Sequence, residues 1–267
     1  MLCAIDIGNT NITFGLYQGE TLGPSWRIRT IHEKMPDEYG MLLDELFRHR
    51  GHRPDQVTGV VIASVVPPLT PVFVQACRDY LGQSPLVVDA GVRTGVRIRY
   101  DNPREVGADR VVDAAAVRSL YGTPACVVDF GTATTFDAIS AEGDYLGGAI
   151  APGIGIAAQA LFERTAKLPR VELTRPPSVI GRNTPHSMQA GLLYGYVGLV
   201  EGMVARFREE LGPEMKVIAT GGLASLIAAE TDVIDVVDPW LTLAGLRLIW
   251  DLNQKQDRET AAAASQG

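Results

Sequence analysis

The sequence predicts an α/β protein of two similar halves with a cleft between them, and three observations carry that expectation. The stretch DIGNTN, residues 6–11, joins two apolar strand patterns in a hairpin. The stretch ACVVDFGTATTFD, residues 125–137, repeats that arrangement near mid-chain. Helix and strand patterns then alternate through each half.

In order along the chain, Leu2, Cys3, Ala4 and Ile5 make a short buried strand. Ile12, Phe14 and Leu16 then alternate with Thr13, Gly15 and Tyr17 at the period of a second strand. The two runs are too close for a crossover helix, so residues 2–17 form a hairpin. Strand character returns near Trp26 and Arg29. A helix is expected over 36–49, with Met41, Leu42, Leu46 and Phe47 on one face and charges opposite. Next come strand 57–64, helix 70–81, a short strand at 86–88 and an extended segment 95–100. A helix over 109–120 leads through Tyr121, Gly122, Thr123 and Pro124, a turn-forming hinge, into the second half. There the strands are 125–129, 133–140 and 144–150, followed by a helix from Ile154 to about residue 168 and another over 185–211. Strand 216–220 and a short strand at 233–236 precede a last helix over 240–252. The expected domains are 1–120 and 121–253, and the polar, small-residue-rich tail 254–267 is expected to fray.

The repeat decides how the hairpins are read. Aligning Asp6 with Asp129, an offset of 123 residues, aligns Gly8 with Gly131, Asn9 with Thr132 and Asn11 with Thr134. GVVIASVVPP (59–68) and KVIATGGLAS (216–225) echo each other too, each an apolar strand ending in a small hydroxyl residue before a loop. One such hairpin is simply a turn, in which Asp and Asn make Asx-type bonds and Gly8 supplies a positive φ. A matched pair in two halves points to a polyanion. Gly8 lets the backbone approach it, Asn9, Thr10 and Asn11 donate hydrogen bonds, and Asp6 holds a hydrated Mg²⁺.

Composition narrows the classes. The 267 residues are 46% hydrophobic, enough for one large core or two modest ones, and the net charge is −7 with both signs interspersed. That excludes the basic face of a nucleic-acid partner while leaving ATP, which local donors and Mg²⁺ can hold. No basic segment precedes the first apolar run, which Asp6 interrupts, so no signal peptide is expected. No stretch approaches the roughly 18 apolar residues of a membrane span. Cys3, Cys77 and Cys126 are odd in number, sit in apolar contexts and lack C-x-x-C spacing, as free thiols in a reducing cytoplasm would.

Together with TGG at Thr220, Gly221 and Gly222, the two hairpins resemble the phosphate-1, phosphate-2 and adenosine motifs of the actin-like ATPase and sugar-kinase superfamily, whose domains are duplicated and ribonuclease H-like. Within it, SVVP (64–67), GADR (107–110), DFGTATT (129–135), GGAIAPG (147–153) and NTPHSMQAG (183–191) resemble type III pantothenate kinase, in order and along nearly the entire chain. Each motif alone is weak, and five in register are specific. The resemblance implies ATP-dependent phosphorylation of the 4′-hydroxyl of pantothenate, the first step of coenzyme A synthesis, by a homodimer that needs Mg²⁺ and a monovalent cation, K⁺ or NH₄⁺. Carried onto this chain, it places Asp6, Ile7, Gly8, Asn9, Thr10, Asn11, Ile12 and Thr13 in the phosphate loop, with Asp6 near Mg²⁺, directly or through water. Asp109 becomes the base, and Tyr100, Gly107, Ala108, Arg110 and Thr184 surround pantothenate. Asp129 would bind the monovalent cation and Thr132 would contact ATP phosphate. Neither hairpin contains Lys or Arg, which is a reason to expect a cation in the place of a P-loop lysine.

Each residue also has a plainer reading. Asp109 at a helix start is an N-cap, a role compatible with being a base because the helix dipole holds it ionised. Thr184 before Pro185 reads as an N-cap with Pro at the first helical position. Arg110 reads as a solvated helix residue, or as a bidentate partner of an anion beside it. Tyr100 reads as a half-buried strand end, and His186 as a first-turn surface residue. The glycines of GGAIAPG lack dinucleotide-fold spacing and are expected to permit close backbone approach between domains or to substrate. No G-x-S-x-G elbow supports a hydrolase. A ROK-type sugar kinase would carry a cysteine-rich zinc motif, which three scattered cysteines cannot supply. A non-catalytic, nucleotide-binding regulator would have lost Asp109 or Gly131, and both are present. The dimer expectation rests on helices 154–168 and 185–211, where apolar residues such as Ile156, Leu161, Phe162, Tyr194, Tyr196 and Leu199 exceed a single face.

Overall fold

The computed structural model describes residues 1–264, with side chains through residue 255. It separates into two units. The first holds residues 1–96, 101–116 and the C-terminal helix from Thr242, and the second holds 97–100 and 117–241. The sequence reading placed the division at 120/121 and gave the last helix to the second half. The division instead falls within a helix, and the last helix joins the first unit.

The first unit is built on a five-stranded sheet in the order β3-β2-β1-β4-β5, namely β1 (Leu2–Ile7), β2 (Asn11–Gln18), β3 (Thr21–Arg29), β4 (Gly59–Ser64) and β5 (Leu86–Val87). The hairpin strands run antiparallel, whereas β1, β4 and β5 run parallel. β4 reads GVVIAS and is buried along almost its whole length, as a central parallel strand covered on both faces must be. β3 begins five residues before Trp26, the point where sequence pattern first showed it. Gly23 and Pro24 hide its start, and an edge strand tolerates them. Helices α1 (Pro36–His49) and α2 (Leu69–Leu81) cover the sheet, with Tyr39 against Phe73 at 4.5 Å between ring centres. Phe14 stacks on Trp26 at 5.2 Å, and Trp26 meets Phe47 at 5.3 Å. Two further helices belong here, α3 (Ala108–Leu120) and, last in the chain, α7 (Leu241–Ala264). Trp250 of α7 lies over Gly59, and Gly245 lies over Val112 of α3, each so close that a Cβ would collide. α7 runs past residue 252, so residues 254–264 are helical rather than a frayed tail; residues 265–267 lie outside the described residues. The run QKQDRETAAAA is rich in strong helix formers, which favours continuation of the helix.

The second unit repeats the first. β6 (Ala125–Phe130), β7 (Ala133–Ile139), β8 (Tyr145–Pro152), β9 (Lys216–Gly221) and β10 (Val236–Val237) form a sheet in the order β10-β9-β6-β7-β8. The senses match strand for strand: β6 is antiparallel to β7 and parallel to β9, as β1 is to β2 and β4. The halves are therefore duplicates in topology. Their turns differ by one residue. Ile7 pairs with Ile12, but Phe130 pairs with Thr134, so Thr134 occupies the place of Ile12 rather than that of Asn11. Equal sequence offset cannot reveal a shortened turn, because turn length sets the register of everything after it. Helix α4 (Ile154–Arg164) ends at Arg164, before residue 168, while α5 (Thr184–Leu211) and α6 (Ala224–Ala228) pack on the sheet. Leu192, Leu193, Val197, Val200 and Val204 of α5 enter the core with Phe136, Cys126 and Val128.

Candidate active site

In the first unit the chemistry gathers at the C-terminal ends of β1 and β4, where parallel strands in α/β sheets present ligands. Asp6, half-buried, pairs across the hairpin with Thr13 and across the parallel ladder with Ala63. The turn closes through Gly8 N–H to Asn11 O at 3.0 Å, leaving Asn9, Thr10 and Asn11 exposed. A residue not foreseen from sequence fixes this loop. Thr30, 8% exposed, donates its hydroxyl to Gly8 O at 2.6 Å, and its N–H donates to Thr10 O at 3.0 Å. With two loop carbonyls tied down from one side, the loop keeps one shape with its polar side chains outward.

The SVVP stretch continues the same edge. Val65 N–H donates to Ile7 O at 3.0 Å, Ser64 Oγ accepts from Val66 N–H at 3.2 Å, and Thr70 Oγ1 donates to Ser64 Oγ at 2.9 Å. The GADR stretch meets it there, since a Cβ on Gly107 would lie 3.3 Å from Val65 Cγ1 and 2.5 Å from Asp109 Oδ1. Asp109 is not the N-cap expected from sequence. The helix begins at Ala108, and the carboxylate of Asp109, in the first turn, folds back over Gly107 and accepts from Arg110 N–H at 2.8 Å. Glycine at 107 is thus what lets the carboxylate lie there. Ala108, Asp109 and Arg110 are all half-buried.

In the second unit Asp129 occupies the place of Asp6, pairing with Thr135 and Thr220. Two glycines make room for its carboxylate. A Cβ on Gly131 would lie 3.2 Å from Oδ2, and one on Gly221, whose φ is +89°, would strike Oδ1. Thr132 is exposed at the turn, and its carbonyl accepts from Gly153 N–H at 3.1 Å. A Cβ on Gly153 would collide with the carbonyls of Gly131 and Thr132. The close approach foreseen for GGAIAPG is therefore made at Gly153 to the second hairpin of its own unit. Tyr100, 38% exposed, lies against Gly147 and Tyr145. Thr184 is exposed, and the cap of α5 is Asn183, whose Oδ1 accepts from His186 N–H at 2.9 Å, with Pro185 following in the first turn. In Asn-Thr-Pro either of two residues can cap, and pattern alone favoured the wrong one. A cavity of about 280 Å³ beside α4, lined by Gly155, Ala158, Gln159, Arg170, Val171 and Leu173, contains none of the residues foreseen from sequence.

Each unit thus ends a strand in a carboxylate beside an exposed turn of amides or hydroxyls, donors of the kind that suit phosphate and a cation, and in the second unit Gly131 and Gly221 hem the carboxylate of Asp129. Among the described residues no group of three or more His, Cys, Asp or Glu could hold a metal by itself. Mg²⁺ bound through one carboxylate, substrate phosphate and water needs no such group.

Comparison with known proteins identifies the arrangement. A family model for type III pantothenate kinase matches residues 2–206. The chain belongs to the type III pantothenate kinase family. It is 57% identical over 253 residues to the type III pantothenate kinase of Moorella thermoacetica, covering 95% of this chain and all of that one. It is 55% identical over 253 residues to the enzyme of that name from Myxococcus xanthus, covering 95% and 99%. A solved structure from Sinorhizobium meliloti, assigned as a 2-dehydro-3-deoxygalactonokinase, matches with a TM-score of 0.56 at 12% identity, covering 93% of this chain and 95% of that one, and shares the fold alone. The fold is that of the actin-like ATPases and sugar kinases, and as a member of its family the chain phosphorylates pantothenate with ATP at the first step of coenzyme A biosynthesis.

Proposed function

We propose that Asp109 is the general base of this reaction, taking the proton of the pantothenate 4′-hydroxyl as that oxygen attacks the γ-phosphorus of ATP. The observation that carries the reading is the pose of Asp109: a half-buried carboxylate turned over Gly107, beside Val65 of the loop after β4, whose N–H bonds Ile7 O next to Asp6. A helix first turn favours the ionised carboxylate, which is the form that accepts a proton. Asn9, Thr10 and Asn11 donate to phosphate from the first hairpin, with Gly8 permitting backbone approach, and Thr132 donates from the second. Asp6 would hold Mg²⁺, directly or through water, and Asp129 would hold K⁺ or NH₄⁺, which would supply positive charge for the phosphoryl group in transfer. Tyr100, Gly107, Ala108, Arg110 and Thr184 position pantothenate, with the Arg110 guanidinium suited to its carboxylate.

The enzyme acts as a homodimer in the cytoplasm. Support for the dimer comes from α4, where only Ile154 is buried while Ile156, Leu161 and Phe162 are exposed, as is Ile150 on the preceding strand. Support for the cytoplasm comes from Cys3, Cys77 and Cys126, three buried free thiols. No helix among the described residues is long and apolar enough to cross a membrane.

A coupled assay of ATP turnover tests the reading, with pantothenate and a panel of sugars as acceptors in Na⁺ buffer, with and without K⁺ or NH₄⁺. Turnover should appear with pantothenate alone and rise when K⁺ or NH₄⁺ is present. Turnover with a sugar instead would overturn the acceptor. Equal rates in all three buffers would remove the monovalent cation from Asp129.

A further inference from the structure

Outside the hairpin tips, the second unit buries a carboxylate that the reaction as described does not use. Asp137 on β7 is 2% exposed. Its Oδ1 accepts from the Tyr145 hydroxyl at 2.8 Å, and its Oδ2 accepts from Thr135 Oγ1 at 3.0 Å. Tyr145, fully buried at the start of β8, is in turn the residue that holds segment 97–100. Its N–H donates to Arg97 O at 2.8 Å, its carbonyl accepts from Arg99 N–H at 2.7 Å, and Ile98 bridges it in parallel. Beside it, Asp144 accepts from Arg99 Nε at 3.0 Å. The Tyr145 ring then meets the Tyr100 ring at 6.4 Å and 52°. Gly147, at φ +127°, completes the seat, since a Cβ there would press within 3.2 Å of Tyr100 Cε2.

A carboxylate at this depth is costly unless its oxygens are bonded, and a Phe–Leu pair would fill the same space without that cost. What the Asp–Tyr pair adds is direction: it fixes the far end of the Tyr145 ring, where an apolar pair would let it shift. We propose that Asp137 is a positioning residue which, through Tyr145, sets segment 97–100 and so the orientation of Tyr100 toward pantothenate. The proposal rests on the reading of Tyr100 as a substrate-binding residue.

Tyr145→Phe keeps the ring and removes only the hydroxyl, and Asp137→Asn keeps the shape and removes the charge. Each variant is compared with wild type and Tyr100→Ala for KM of pantothenate, KM of ATP, kcat and Tm. Losing one hydrogen bond to a carboxylate should raise the pantothenate KM about tenfold in Tyr145→Phe, with ATP KM and kcat within about twofold of wild type. Asp137→Asn should follow the same pattern, and if it fails to fold the Tyr145→Phe variant decides. A pantothenate KM unchanged in folded Tyr145→Phe, with Tyr100→Ala impaired, overturns the inference alone. A rise in the KM of both pantothenate and ATP together with a lowered Tm would make Asp137 merely structural and overturn it too. An unimpaired Tyr100→Ala overturns the substrate reading of Tyr100 and the inference with it.

Discussion

Thr134 shows how a single position records the duplication. It stands where the first half has Ile12, both are fully buried, and its Oγ1 has no hydrogen-bond partner. A buried hydroxyl without a partner costs free energy that an apolar group of the same shape does not. Thr134→Val should therefore stabilise the protein by about 1 kcal/mol, or ~2–4 °C in Tm by calorimetry. A lowered Tm would mean that the hydroxyl is satisfied in solution. Sequence alone pointed to Thr134 as part of the DFGTATT motif but paired it with Asn11, because the shortened turn leaves no mark in composition. Thr30 was invisible for a different reason. A lone Thr after a strand has no pattern, and only the folded hairpin brings its hydroxyl to Gly8 O. The glycines beside Asp109 and Asp129 were legible as motif members, while their reason, room for a carboxylate, is purely spatial.

Elements were legible where local pattern decides them and illegible where tertiary contact does. Both Asp-x-Gly hairpins, β4, β9, α1 and α2 follow from alternation, apolar runs and amphipathic spacing. The cap of α5 came out one residue off, and Asp109, expected to cap α3, lies within its first turn, since Gly-Ala-Asp and Asn-Thr-Pro each offer neighbouring residues able to start a helix. The reach of α7 and its place in the first unit depend on Trp250 and Gly245 meeting Gly59 and Val112, contacts between residues far apart in sequence. Gly153 gives an element-scale test. It joins the start of α4 to the second hairpin so tightly that a Cβ would strike two backbone carbonyls, which cannot swing aside as a flexible side chain would. Gly153→Ala should shift the Gly131–Thr132 turn, cost about 1–3 kcal/mol of stability and raise the KM for ATP more than that for pantothenate. A variant with wild-type Tm and ATP KM would show that the contact relaxes at no cost.

At the scale of the whole molecule, two sheets of identical strand order and sense each end a central strand in an aspartate beside a glycine turn. Duplication thus supplies two strand-end hairpins, residues 6–13 and 129–135, neither of which contains a basic side chain. Apolar surface exposed around α4 bears on assembly at the same scale. Light scattering at micromolar concentration should return about twice the chain mass of 28.7 kDa, and a monomer mass would contradict the homodimer. In the proposed mechanism one carboxylate, that of Asp109, takes the proton. Asn at 109 is nearly isosteric and its Oδ1 can still accept from Arg110 N–H, so Asp109→Asn should fold, melt and bind ATP as wild type does. Lacking a proton acceptor, its kcat should fall by ~10²–10⁴. A kcat within about threefold of wild type, less than ~1 kcal/mol of barrier, would contradict Asp109 as the base.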